Sequence, residues 1–194
     1  MRFAERMSRL GTETAFEVLA RAKALEAEGR EIIHLEIGEP DFDTPAYISD
    51  AACAALRAGY THYTPAPGMA ELREAIARDA TLRRGVTFTP DEVVVTPGGK
   101  PVMFFSILAL VDEGDEVLYP NPGFPIYESM INFVGGKPIP VPLDKQRDFA
   151  LDVDRLISAI GQRTRMIIFN SPHNPTGGVL PREQIEAIAA AVRP

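Results

Sequence analysis

From Val93 onward, short apolar runs alternate with helix-spaced stretches, and this alternation narrows the fold more than any other feature of the chain. VVVT at 93–96, EVLYP at 116–120, PIPV at 138–141 and MIIF at 166–169 are compact runs bounded by turn residues, as strands are. Between and after them the spacing predicts helices over about 100–111, 124–134 and 153–160, and another from about 181. Strands that alternate with helices build a mostly parallel sheet covered on both faces. The expectation is therefore an α/β domain of three layers. Upstream the pattern is looser. It predicts a helix from Thr14 to Glu28 stopped by Gly29, a short strand EIIHLEI at 31–37, a helix from Asp50 to Ala58 ended by Gly59, and an amphipathic helix over 69–84.

Charge and composition remove several function classes. The net charge is −7, and Lys and Arg are scattered rather than clustered, which argues against a nucleic-acid partner. The longest apolar stretch, VMFFSILALV at 102–111, falls short of the roughly 18–20 residues that span a bilayer and reads as a buried helix. RFAERMSRL after Met1 has no apolar signal core. The single cysteine, Cys53, excludes an internal disulfide framework. Within AACAAL it reads as a small buried thiol. A cytoplasmic protein with no membrane partner is expected. His34, His62 and His173 lie far apart in sequence without ligand spacing, so no metal site is expected.

Four segments carry chemistry. SPHNPTG at 171–177 follows the run MIIF. Its Asn-Pro pair fixes a sharp turn, because proline locks its own φ and disfavours helix at the residue before it. Such a turn at a strand end holds the amide of Asn174, both donor and acceptor, aimed out of the sheet. TPGGKP at 96–101 joins a predicted strand to a predicted helix. Gly98 and Gly99 let the backbone approach an anion, and the helix N-terminus supplies free N–H groups. Taken alone, either segment is also readable as a plain strand-to-helix turn. The pattern is neither GxGxxG nor GxxxxGK[ST], since Val94 stands where the latter needs its first glycine. GEPDFDTP at 38–45 contains Asp41 and Asp43, which read as caps for the turn and for the helix after Pro45. YTPAPGMAELREAIA at 63–77 is the fourth segment, and YPNPGFPIY at 119–127 joins the set.

In their order along the chain the segments resemble the class I/II aminotransferases, the fold-type-I, aspartate-aminotransferase-like enzymes that depend on pyridoxal 5'-phosphate. The resemblance runs the length of the chain but covers only the N-terminal half of such a protein. It implies an incomplete, mostly parallel three-layer sheet of the large cofactor domain over residues 45–194, preceded by an N-terminal small-domain segment over 1–44. It also implies residue roles. Gly98, Gly99 and Lys100 match the phosphate-binding loop, and Lys100 could also hold a distal carboxylate. Phe124 matches the aromatic position that stacks on the pyridine ring, without the polar function that Trp or Tyr gives there. Tyr63 matches the tyrosine that reaches the partner subunit's cofactor phosphate, which implies a homodimer. Asn174 matches the residue that bonds the cofactor's ring oxygen close to the substrate carboxylate. Gly38 matches the glycine whose backbone approaches that carboxylate. Tyr127 reads as packing, and His173 is given no role.

The implied activity is amino transfer between an L-amino acid of aspartate or glutamate type and a 2-oxo acid, within amino-acid biosynthesis. A carbon–sulfur lyase of the same fold and a non-catalytic module of that fold stay open as alternatives. The family's Schiff-base lysine stands in a Ser-x-x-Lys context downstream of NPTG. The lysines here are Lys23, Lys100, Lys137 and Lys145, and none has serine three residues before it. That lysine is expected beyond Pro194, so the 194-residue chain alone is expected to be inactive, because it lacks both covalent anchor and proton carrier.

Overall fold

The computed structural model describes residues 2–11 and 14–192. Its contacts divide the chain into two compact units, residues 15–99 and residues 100–194 together with 1–14.

The unit of residues 15–99 is helical. Its elements are α1 (Thr14–Ala27, the first residue belonging to the other unit), α2 (Ala46–Arg57) and α3 (Ala70–Arg84). α3 ends where Gly85 takes a left-handed conformation and returns its N–H to the Thr81 carbonyl, the usual helix stop. Arg73, on α3, donates from Nε to the Val93 carbonyl at 2.9 Å and from Nη2 to Asp91 at 3.2 Å. This ties the helix to the segment that follows it.

The other unit carries the sheet. Its elements in order are α4 (Lys100–Leu110), β1 (Glu116–Asn121), α5 (Ile126–Val134), β2 (Lys137–Asp144), β3 (Ala150–Leu151), α6 (Val153–Ser158), β4 (Thr164–Ile167) and α7 (Arg182–Ala191). The strand order is β3-β2-β1-β4. β1 is parallel to both β2 and β4, and only β3 runs antiparallel. β1 is central and buried from Val117 to Pro120, as a strand covered on both faces must be. Alternation along it sends Val117 and Tyr119 into one apolar cluster with Ile107, Tyr127, Met130 and Ile131 of α4 and α5. Leu118 enters a second cluster with Val141, Leu143, Leu156 and Ile188. Full burial of each such aliphatic side chain contributes about 1.5–3 kcal/mol, so the two clusters fix the three layers. A short helical turn at Glu5–Arg9 docks on α5, where the Gly11 N–H donates to Ser129 Oγ at 3.0 Å.

Several expectations are corrected. EIIHLEI forms no strand among the described residues, and Ile33 and Leu35 are exposed. VVVT is not a strand either. Val93 is extended and buried, and Val95 gives its N–H to the Pro67 carbonyl rather than to a ladder. A local apolar pattern favours an extended backbone, but a strand also needs a neighbour of the right register, and none is present among the described residues. α4 is covered on one side only: Ile107 is buried while Val102, Phe105 and Leu108 are exposed. Cys53 is exposed as well, because α2 buries none of its residues. Neither Asp41 nor Asp43 caps α2, whose N-cap is Pro45 with no side-chain cap bond. β3 was not foreseen, being too short to leave a pattern.

Candidate functional site

Because β1 and β4 are parallel, their C-terminal ends lie at the same edge of the sheet, where open α/β sheets bind ligands. The loop after β1 carries Phe124, and the turn after β4 carries Asn174. Lys100, the first residue of α4, reaches this edge, with its Nζ 5.9 Å from the centroid of the Phe124 ring. Phe124 in turn meets Tyr127 edge-on, at 6.0 Å between centroids and 80° between planes. Tyr127 belongs to the buried core, where desolvation raises its phenol pKa. Its edge-on contact ties Phe124 to the core. Tyr119 is likewise a buried phenol with a raised pKa, held by burial and by its 2.9 Å bond to Glu128.

The Asn174 turn is built by hydrogen bonds at every limb. The Asn174 N–H donates to Asn170 Oδ1 at 2.7 Å. His173 N–H donates to the Gly178 carbonyl and Gly177 N–H to the His173 carbonyl, both at 2.7 Å. Leu180 N–H reaches Ser171 Oγ at 3.0 Å. Asn174 itself is exposed, whereas His173 is buried. Burial lowers the imidazole pKa, since the charged form loses its hydration. Sequence reasoning passed over both supporting residues. Asn170 was legible in principle, because asparagine at a strand end is the residue that accepts from nearby backbone. Nothing in the sequence marks His173 as buried.

The remaining expected residues stand in loops of the other unit. Gly98 has φ +94°, its N–H bonds to the Thr96 carbonyl at 2.9 Å, and its own carbonyl accepts from Thr96 Oγ1 at 2.6 Å. A Cβ at Gly98 or at Gly99 would meet no atom within 4 Å. A tight turn with an open face thus leads straight into the N-terminus of α4. There Pro101 sacrifices no hydrogen bond, because that position has none to make. Gly38 also faces open space. Tyr63 is fully exposed, at 108% of its reference accessibility. Within the sheet-bearing unit the groups suit a phosphorylated pyridine: the α4 N-terminus with the Lys100 ammonium for the anion, the Phe124 face beside that ammonium, and the exposed amide of Asn174. Among the described residues no three His, Cys, Asp or Glu side chains could hold a metal ion, and no helix is long and apolar enough to cross a membrane.

Comparison with known proteins bears on the family and the fold. The family aminotransferase class I and II matches residues 30–194. A probable aspartate/prephenate aminotransferase of Aquifex aeolicus is 44% identical over 186 residues, 96% of this chain and 47% of the relative. The (5-formylfuran-3-yl)methyl phosphate transaminase of Methanocaldococcus jannaschii is 42% identical over 170 residues, 88% of this chain and 44% of its own length. The solved aspartate aminotransferase of Thermus thermophilus with maleate superposes with a TM-score of 0.93 at 39% identity, covering 98% of this chain and 50% of that one. The chain spans about half the length of the curated relatives it matches. With that match extending from residue 30 to 194 and the α/β fold shared, the chain belongs to the aminotransferase class I and II family.

Proposed function

We propose that these residues are the cofactor-holding part of a pyridoxal-phosphate-dependent aminotransferase that moves an amino group between an L-amino acid of aspartate or glutamate type and a 2-oxo acid. The supporting observation is Lys100 at the N-terminus of α4, with its ammonium poised above the Phe124 ring. When bound, the cofactor supplies an electron sink for bonds at the amino-acid α-carbon. This chain supplies the groups that hold it. The glycine turn and the α4 N-terminus bind the phosphate through N–H groups aligned with the helix dipole. Phe124 supplies a flat apolar face for the pyridine. Asn174 donates to the ring oxygen, and Gly38 leaves room for the substrate carboxylate. In this reading residues 1–44 belong to the small domain and 45–194 to the large one. The protein is a cytoplasmic homodimer in which Tyr63 serves the partner's phosphate, and the Schiff-base lysine comes from outside these residues.

The full-length protein, loaded with pyridoxal phosphate, is expected to convert L-aspartate or L-glutamate only when a 2-oxo acid acceptor is supplied. Amino-acid turnover without an acceptor would assign a lyase instead, and failure to retain the cofactor would refute the reading. The 194-residue chain alone is expected to show no turnover. After borohydride treatment with the cofactor, mass spectrometry should find no single stoichiometric pyridoxyl-lysine.

A further inference from the structure

We propose that His173 is the positioning residue for Asn174: its ring, clamped to Thr176 across the turn, fixes the direction in which the neighbouring amide leaves the protein. The inference rests on the reading above for what Asn174 does, and it adds to that reading a residue which touches neither cofactor nor substrate.

His173 and Asn174 are consecutive, yet one is buried and the other exposed. The imidazole forms part of the wall of a cavity of about 140 Å³ whose other walls include Leu143, Phe149, Leu151, Phe169 and Leu180. Its Nδ1 lies 2.8 Å from Thr176 Oγ1. The backbone bonds to Gly177 and Gly178 close the base of the turn, and Asn170 holds the Asn174 N–H. The ring is the anchor that runs from this turn into the apolar core while gripping its far limb. A link from core to limb, placed away from the backbone pair, stops the limb pivoting about that pair.

The other ring nitrogen supports the assignment. Nε2 is shut from solvent and has no hydrogen-bond partner among the described residues. A buried polar atom left unpaired is destabilising, so packing alone would be met better here by leucine. The bond to Thr176 accounts for a polar ring at this position, and local rules are broken for such reasons chiefly at functional sites. Burial lowers the His173 pKa, which favours the neutral ring.

The test uses four variants of the full-length protein. His173→Asn places an amide atom near the Nδ1 position and is expected to keep the clamp. His173→Gln reaches toward Nε2 instead and is expected to lose it. His173→Leu removes the orphan nitrogen, so its unfolding midpoint should be no lower than wild type while the clamp is gone. Thr176→Val removes the other partner at nearly constant shape. In the cofactor-free protein, the side-chain amide resonances of Asn174 should match wild type in His173→Asn and move or broaden in the other three. In the loaded protein, the pH midpoint of the cofactor absorption band should move in His173→Leu in the direction seen for Asn174→Ala. KM should rise about fivefold, the equivalent of one ordinary hydrogen bond. In the double variant with Asn174→Ala, His173→Leu should add no more than about twofold. Unmoved Asn174 resonances in His173→Leu and Thr176→Val, or a His173→Asn variant as defective as His173→Leu, would overturn the proposal. A protein that never retains pyridoxal phosphate refutes the functional reading and leaves the resonance measurement to decide the role of His173.

Discussion

The backbone N–H of Asn174 donates to the side chain of Asn170, Oδ1, at 2.7 Å, so the residue expected to touch the cofactor hangs from another asparagine three residues past β4. Asn170→Ala removes the acceptor and should destabilise the folded chain by about 1 kcal/mol. Asn170→Asp keeps an acceptor and should lose less. Urea denaturation measures both, and amide exchange at Asn174 should quicken in the alanine variant only.

Gly68 and Gly99 separate folding from binding. At Gly68, φ is +108° and an added Cβ would lie 2.8 Å from Val95 Cγ2, so Gly68→Ala should cost more than about 1 kcal/mol through strain and overlap together. At Gly99 the space is open and φ is not in the left-handed region. Gly99→Val should therefore leave stability within about 0.5 kcal/mol of wild type while weakening phosphate retention. Thermal unfolding of the cofactor-free protein, set beside equilibrium dialysis of pyridoxal phosphate, measures the two effects separately.

Tyr63→Phe tests the expectation of a shared site. Loss of one phenol bond to a charged phosphate should weaken cofactor retention by about 1–2 kcal/mol without changing the unfolding midpoint of the cofactor-free protein. Sedimentation of the full-length protein should give a dimer. An active monomer with unchanged retention in Tyr63→Phe would reject the role.

His34 predicts a pH dependence. Its Nδ1 lies 2.6 Å from Glu36 and its Nε2 2.8 Å from Glu26. Ionised carboxylates only accept, so both bonds form together when the ring is protonated and both its nitrogens donate. The bonds to Glu36 and then Glu26 raise the His34 pKa, and the His34 bond lowers that of Glu36. A raised folded pKa contributes stability that is complete below the ordinary value of 6.5 and is lost as pH climbs through the folded value. The lowered Glu36 pKa contributes stability above the ordinary 4.5, lost as pH falls through its folded value. Stability from this cluster is therefore greatest between those limits. His34→Gln should flatten the decline on the alkaline side in a series of denaturation curves taken from pH 5 to pH 9.

Much of the large unit was legible in the sequence because its signals are local. Each of β1, β2 and β4 is a bounded apolar run, and the helices between them keep their spacing. What failed was non-local. VVVT is a bounded apolar run and EIIHLEI alternates, as strands do, but pairing depends on a neighbour that a local pattern cannot reveal. Burial of Cys53 and of the whole of α4 was inferred from composition, and the described chain supplies no surface to cover α2 or the outer side of α4. Of the site, the glycine turn and the Asn-Pro turn could be read because glycine and proline restrict backbone geometry directly. The opposite facing of His173 and Asn174 could not, since it depends on where the turn sits over the core.

The pH titration of the cofactor absorption band in full-length wild type, Asn174→Ala and Asn174→Asp tests the central claim most directly. A donor to the ring oxygen weakens that oxygen's hold on the neighbouring proton. Asn174→Ala should therefore raise the midpoint and raise KM, and Asn174→Asp should impair KM further by setting a negative charge against an oxyanion. Variants that lose stability while the folded protein titrates at the wild-type midpoint would make Asn174 a turn residue and contradict the account.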